Sequence, residues 1–165
     1  MVDPNTIHDR LINLLDINQV EYKLFNHPAA LTYEDLAAVQ KSTGFFGTEA
    51  KCMVLKVSDK FIVYITLQGS RVNFNAVKTE LGGAKVRLAT AEELAEYFGA
   101  QPGCAYPFAF DSQYDIYVDP KIYEQEWLLF SPVLPTETIQ AKGEDLRRVW
   151  ASLDNQVSEV INFNQ

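Results

Sequence analysis

His8 and His27 are the only imidazoles in this 165-residue chain, and Cys52 and Cys104 are its only thiols. Neither pair has the His-x-x-x-His or Cys-x-x-Cys spacing that presents metal ligands on one turn or face. No Gly-x-Ser-x-Gly elbow and no phosphate-cradling glycine loop occurs. The sequence therefore gives no support to triad hydrolysis or metal catalysis, and no metal or cofactor is expected. His8 lies on an opening amphipathic helix and reads as a surface residue. His27 ends a strand just before Pro28, where an imidazole either caps backbone groups or lines a site.

Two other places are unusual on physical grounds. Lys51 opens the most apolar strand of the chain, beside Cys52-Met53-Val54-Leu55. An ammonium there must reach water at the strand end or meet an anion, because burying it unpaired is costly. The alternative is an ordinary strand-edge lysine that blocks aggregation. The second place is Pro102-Gly103-Cys104-Ala105-Tyr106-Pro107-Phe108. Bracketed by proline and glycine, it can hold backbone N–H groups fixed and partly unpaired, suited to an anion or a carbonyl oxygen. Its alternative is a rigid connector packed by aromatics. Cys52, next to Lys51 on a strand, should point to the other face as a packed core thiol.

The elements that must position these residues follow from periodicity. Ile7, Leu11, Leu14 and Leu15 predict an opening helix over 6–18, and alternation predicts a strand over 20–25 that halts at Asn26-His27-Pro28. Thr32 with Asp35 forms a capping pattern for a second short helix, and the break at 44–47 contains two phenylalanines. Residues 51–57 and 61–67 form a β-hairpin across Ser58-Asp59-Lys60. A helix over 73–81 closes at Gly82-Gly83, a short strand covers 85–88, and Thr90 with Glu93 opens a helix ended by Gly99. Strands are expected at 114–118, 127–130 and 136–140, and a closing helix at 144–153. Hairpins outnumber βαβ units, which predicts an α+β single domain over 1–165 with a mixed, mainly antiparallel sheet and flanking helices.

Charge narrows the partners. The chain carries 14 Lys and Arg against 22 Asp and Glu, yet residues 41–87 alone are +5. So polarised a chain can bind a polyanion on one face while staying acidic overall; a solvated strand face is the plainer reading. No apolar stretch is long enough for a membrane span, and the opening MVDPNTIHDR lacks the pattern of a signal peptide. A cytoplasmic protein with no membrane partner is expected.

In combination, these segments resemble a known family. Ala50-Lys51-Cys52-Met53-Val54-Leu55-Lys56 resembles its lysine-bearing strand, and Lys85-Val86-Arg87-Leu88-Ala89 followed by Glu92-Glu93-Leu94 its strand-then-helix segment. Gly103-Cys104-Ala105-Tyr106-Pro107-Phe108 resembles its Gly-x-x-x-Pro loop, and Ile116-Tyr117-Val118-Asp119 the strand that follows. The family is the YbaK/prolyl-tRNA-synthetase-associated domain family, the trans-acting aminoacyl-tRNA editing deacylases. The likeness runs from about residue 7 to 149.

That resemblance implies hydrolysis of the ester joining a wrong amino acid to a tRNA 3′ end. The tRNA would be tRNA(Pro), carrying Ala, Cys, Ser or Thr. Lys51 would hold the terminal adenosine or its phosphate, with Gly103 and Pro107 as the other catalytic positions. The loop backbone through Cys104, Ala105 and Tyr106 would hold the aminoacyl group and the attacking water. His27, Thr32, Asp119 and Ser131 complete the expected substrate-binding set. The ribose 2′-hydroxyl would supply much of the proton handling. The implied partners are the acceptor end of an aminoacylated tRNA and a prolyl-tRNA synthetase, with no DNA. A catalytically silent tRNA- or synthetase-binding module of the same fold is the rival. Two departures stand out. Asn73 replaces the aspartate of the family's Arg-Val-Asp, and Ser131 stands where alanine-editing members carry histidine, which puts alanine specificity in doubt.

Overall fold

The computed structural model describes residues 1–83 and 85–165. The chain opens with α1 (Pro4–Ile17), capped by Asp3, whose side chain accepts from the Asn5 N–H. Ile7, Leu11 and Leu15 recur at helical spacing and are fully packed, each removing a large apolar side chain from water for about 2 kcal/mol. Then come β1 (Tyr22–Asn26), α2 (Tyr33–Thr43), and the hairpin β2 (Thr48–Val57) and β3 (Lys60–Leu67). The hairpin turn is shorter than expected. Val57 pairs with Lys60, which leaves only Ser58 and Asp59 in the loop.

Next are α3 (Phe74–Glu80), β4 (Val86–Leu88) and α4 (Ala91–Glu93), which runs into a π-helical turn, Leu94–Phe98. The Asn73 departure keeps a structural task. Its side chain caps α3 by accepting from the Ala76 N–H at 3.1 Å, as an aspartate would. The chain continues through β5 (Asp115–Val118), a 3₁₀ turn Pro120–Glu124, β6 (Leu128–Phe130) and β7 (Glu137–Ala141). It closes with α5 (Leu146–Ala151) and β8 (Val157–Glu159), the last an element the periodicity did not reveal.

The strands form one mixed sheet in the order β1-β7-β6-β2-β3-β5-β8, with β4 paired to β2. Two strands share one edge of β2. β6 runs parallel to it at Thr48 and Glu49, and β4 runs antiparallel at Leu55, Lys56 and Val57. Beyond these pairs, the Ala89 N–H donates to the Val54 carbonyl at 2.9 Å, and neither neighbour reaches residues 50–53, so the edge is interrupted in its middle.

Alternation along β2 divides the molecule into two layers. Ala50, Cys52 and Val54 belong to the large core beneath α1, Phe98, Phe108 and Trp150. Met53, Leu55 and Val57 pack with Val77 of α3 and with Val160 and Phe163 of the C-terminal tail. A third cluster, with Ala30, Val39, Phe45 and Leu129, lies under α2.

Candidate active site

Where the edge of β2 is interrupted, a cavity of about 140 Å³ opens. Its walls come from four segments: the β1–α2 connection and the first turn of α2 with His27, Thr32 and Tyr33; β2 with Glu49, Ala50 and Cys52; the loop residues Gly103 and Ala105; and the β6–β7 connection and start of β7 with Ser131 and Glu137. Leu36 and Ala30 come from the α2 cluster and Ala50 from the large core, so the cavity sits on the seam between them. A volume this small suits an amino-acid-sized group, well under the roughly 300 Å³ of ordinary ligand pockets.

Local chemistry explains each wall. Thr32 caps α2 by accepting from the Asp35 N–H, and the Asp35 carboxylate accepts from Leu31 N and Thr32 N. Those bonds lower the Asp35 pKa, the Leu31 amide contributing most. Gly103 adopts φ +88°, and a Cβ there would overlap the Leu31 carbonyl oxygen. Only glycine lets the loop close this tightly onto the lead-in to α2. Within 103–107, only Cys104 N–H has a backbone acceptor, the Gln101 carbonyl at 2.9 Å. The amides of Gly103 and Ala105 have none among the described residues. Val133, in the 131–135 segment, is a buried β-branched residue at φ +81°, a strained backbone held by its surroundings.

His27 is buried and fully engaged. A carbonyl can only accept, so Nδ1 donates to Pro28 O at 2.8 Å. In the neutral ring, Nε2 then accepts from the Thr138 hydroxyl at 2.8 Å, which leaves no lone pair for a proton from water. Glu137 is engaged as well, its Oε2 lying 2.6 Å from His8 Nε2. Burial pushes the Tyr33 hydroxyl up to about 12, with smaller contributions from Cys52 and Glu49. It also pushes up the Cys52 thiol, and the Glu49 carboxyl to about 7.

The remaining expected site residues lie around the cavity rather than on its wall. Cys104 is buried behind the loop, its Sγ 4.0 Å from the Ala30 carbonyl, and burial raises its pKa to about 11. Tyr106 donates to Phe98 O inside the large core. The Pro107 carbonyl accepts from the Trp150 indole N–H at 3.0 Å, which anchors the loop's far end to α5. Lys51 is not on the cavity wall. Its ammonium donates to the Ser70 carbonyl at 3.0 Å, and its strand partner is Thr66. Thr66 donates to Asp119 Oδ2, and the Asn164 side chain donates to both. Asp119 also caps the 3₁₀ turn through Lys121 N–H. His27, Thr32, Gly103, Ala105 and Ser131 thus meet at one cavity, while Lys51 and Asp119 share a neighbouring polar cluster.

Farther along β2 lies an exposed groove lined by Lys56, Lys78, Lys85 and Arg87, with Asp59. Glu93 pairs with two of these cations, Arg87 at 2.8 Å and Lys56 at 3.5 Å. The hydrogen bond from Arg87 is the main reason the Glu93 carboxyl is held down at about 2. Four of the eight basic residues of 41–87 thus converge in space, two of them paired with Glu93.

The pattern of the aminoacyl-tRNA editing domain matches residues 27–149, three-quarters of the chain and all four segments that wall the cavity. The chain belongs to that family. Among its relatives is the multifunctional Ser/Thr-tRNA deacylase ProXp-y of Escherichia coli K12, 22% identical over 100% of this chain and 97% of that protein. The proline–tRNA ligase of Bacillus pumilus is 30% identical over 60% of this chain, a stretch that is 17% of the ligase. A crystal structure of a proposed trans-editing enzyme for prolyl tRNA synthetase superposes with a TM-score of 0.71 at 18% identity, covering 94% of this chain and 97% of that one. The hypothetical protein APE2540 reaches 0.72 at 18% identity, covering 92% and 98%. These likenesses establish the editing-domain fold.

Among the polar cavity residues, Tyr33, Glu49, Glu137 and Thr138 were not expected from the sequence. Glu49 carries the same signal as Lys51, a charge at the head of the most apolar strand.

Proposed function

We propose that this protein is an editing deacylase that hydrolyses the ester of a mischarged tRNA, with tRNA(Pro) carrying serine or threonine as its substrate. The observation that carries the reading is the pair of loop amides, Gly103 and Ala105, without backbone acceptors on a cavity of amino-acid size. Amides held this way favour the oxyanion that develops when water attacks an ester carbonyl, and they need no reorganisation to do so. The family membership and the Ser/Thr-tRNA deacylase named among its relatives, from Escherichia coli, support the same chemistry.

His27 has both ring nitrogens engaged, so it orients the wall and takes no proton from water. Proton transfer then falls to the substrate, whose ribose 2′-hydroxyl adjoins the ester. Lys51 exchanges the Ser70 carbonyl for the phosphate or adenosine of the terminal nucleotide. Support for this is that a single neutral acceptor leaves an ammonium with donors to spare. Serine and threonine are favoured over alanine because the buried Ser131 hydroxyl on the cavity wall has no oxygen or nitrogen partner and meets only the weakly bonding Cys104 thiol. A substrate hydroxyl would satisfy it, and a methyl would leave it orphaned. The basic groove takes the acceptor stem.

The test is turnover of tRNA(Pro) charged with Ser, Thr, Ala, Cys or Pro by the purified protein. The seryl and threonyl esters should be cleaved fastest and the prolyl ester spared. Binding of these tRNAs without turnover of any would instead favour the silent-module reading.

A further inference from the structure

Glu49 and Ser131 each place on the cavity a buried oxygen that no nitrogen or oxygen satisfies: Glu49 Oε1 has no hydrogen-bond partner, and Ser131 Oγ meets only the weakly bonding Cys104 thiol. Native folds leave few such atoms, and those they keep call for a reason. Glu49 is the more demanding of the two. It is only 7% exposed and its Oε1 is out of reach of water, so its ionised form is largely desolvated and no protein donor or cation repays that.

The other ionisable groups on the cavity wall are His27, Tyr33, Cys52 and Glu137, and no Lys or Arg is among the lining residues. Glu137 is taken by His8, and His27 by Pro28 and Thr138. Tyr33 and Cys52 are neutral groups whose ionisation burial opposes further. The cavity therefore offers one unpaired carboxyl and no fixed cation. It would repel a phosphate or a carboxylate. Its complement is a small cation with N–H donors.

An aminoacyl ester carries one such group, the α-ammonium, on the carbon next to the ester carbonyl. With that carbonyl at the amides of Gly103 and Ala105, the ammonium must lie within the same small cavity. Resting on the deacylase reading above, we propose that Glu49 anchors the substrate's free α-ammonium, so that the site takes 2-amino-acyl esters and discriminates against esters that lack the cationic amine. The ammonium supplies the charge that Glu49 lacks, and the contact becomes a charge-assisted hydrogen bond shielded from water. It also fixes the rotation of the acyl group, so that the carbonyl oxygen faces the loop amides.

The test pairs wild type and Glu49→Gln with seryl-tRNA(Pro) and with its deaminated counterpart, the 2-hydroxyacyl ester, which has nearly the same shape and no charge. Binding is followed in parallel with 3′-(serylamino)-3′-deoxyadenosine, an amide that resists hydrolysis, and its deaminated form. Wild type should prefer the amine form by about tenfold or more in kcat/KM and in affinity, as expected when a buried charged partner is removed. Glu49→Gln should lose that preference while treating the deaminated forms almost as wild type does. An equal loss on both forms, or no loss on either, would overturn the anchoring role. If wild type binds the serylamino compound through Glu49 but cleaves no ester, anchoring stands and the deacylase reading fails. If it cleaves esters regardless of Glu49, the reading stands and anchoring fails. Neither binding nor cleavage would overturn both.

Discussion

The two ends of β2 hold opposite electrostatics. At its start, Glu49 sits in a small buried cavity whose lining contains no lysine or arginine. At its finish, Lys56 joins Lys78, Lys85 and Arg87 along an exposed groove. Cys52, on the cavity wall, and Lys56 are four residues apart on one face of the strand, a rise of about 13 Å. A charged aminoacyl-tRNA has the same asymmetry, a cationic amino acid at the tip and a polyanion behind it. The burial of each end also differs in kind. An unpartnered carboxyl in a cavity costs stability until a ligand arrives, whereas exposed lysines cost almost nothing and act at long range.

The comparison is broken most severely at the loop. Gly103→Val combines a left-handed backbone with overlap at Leu31, so it should lower kcat/KM by about a hundredfold or more by displacing the two amides. Thermal unfolding run alongside separates lost geometry from lost fold, and near wild-type turnover would remove the amides from the mechanism.

Glu49→Gln tests the cost at the acidic end without any substrate. The carboxyl is raised to about 7 by burial, so the folded protein holds that proton more tightly than the unfolded chain does. Ionisation therefore costs nothing well below pH 4, takes stability away as pH rises towards 7, and has its full effect above it. The variant should match wild type near pH 4 and be more stable at pH 8 by up to about 3 kcal/mol. Equal denaturation midpoints at pH 8 would mean that Glu49 finds a partner in the free protein.

Lys51→Ala probes the polar cluster beside the cavity. Loss of the ammonium should reduce kcat/KM by about tenfold while leaving the Glu49-dependent preference for the amine intact. If Lys51 only ties β2 to Ser70, the variant will lose stability and keep its activity.

The smallest effects belong to the groove. Charge reversal at Lys78 or Lys85 should weaken tRNA binding several-fold and flatten its salt dependence, with little change in stability. Binding isotherms at two salt concentrations check this.

Much of this architecture was legible in the sequence, and the failures have physical causes. Gly103, Thr32 and the β2–β3 hairpin announced themselves through local chemistry: a required φ, a cap, an alternating pattern. β8 did not, because Val157–Glu159 is three residues long and becomes a strand only by pairing with the open edge of β5. The environment of Lys51 was hidden for a similar reason. Ser70 and Asn164 reach that face through the β3–α3 connection and the chain's tail, contacts that no local pattern encodes. Glu49 was visible as a charge, but its lack of a partner is a tertiary fact.

The division of β2 into an aminoacyl end and a polyanion end is tested most directly by shortening the substrate. Seryl-tRNA(Pro) and 3′-O-seryl-adenosine share the ester, the ammonium and the terminal nucleoside, but only the first carries the acceptor stem. Steady-state kinetics of both across a salt series should give kcat values within a few-fold of each other. For the short substrate, KM should be raised by about tenfold or more and should no longer depend on salt. A kcat that collapses with the short ester, or a KM that stays low and salt-sensitive without the stem, would contradict the account.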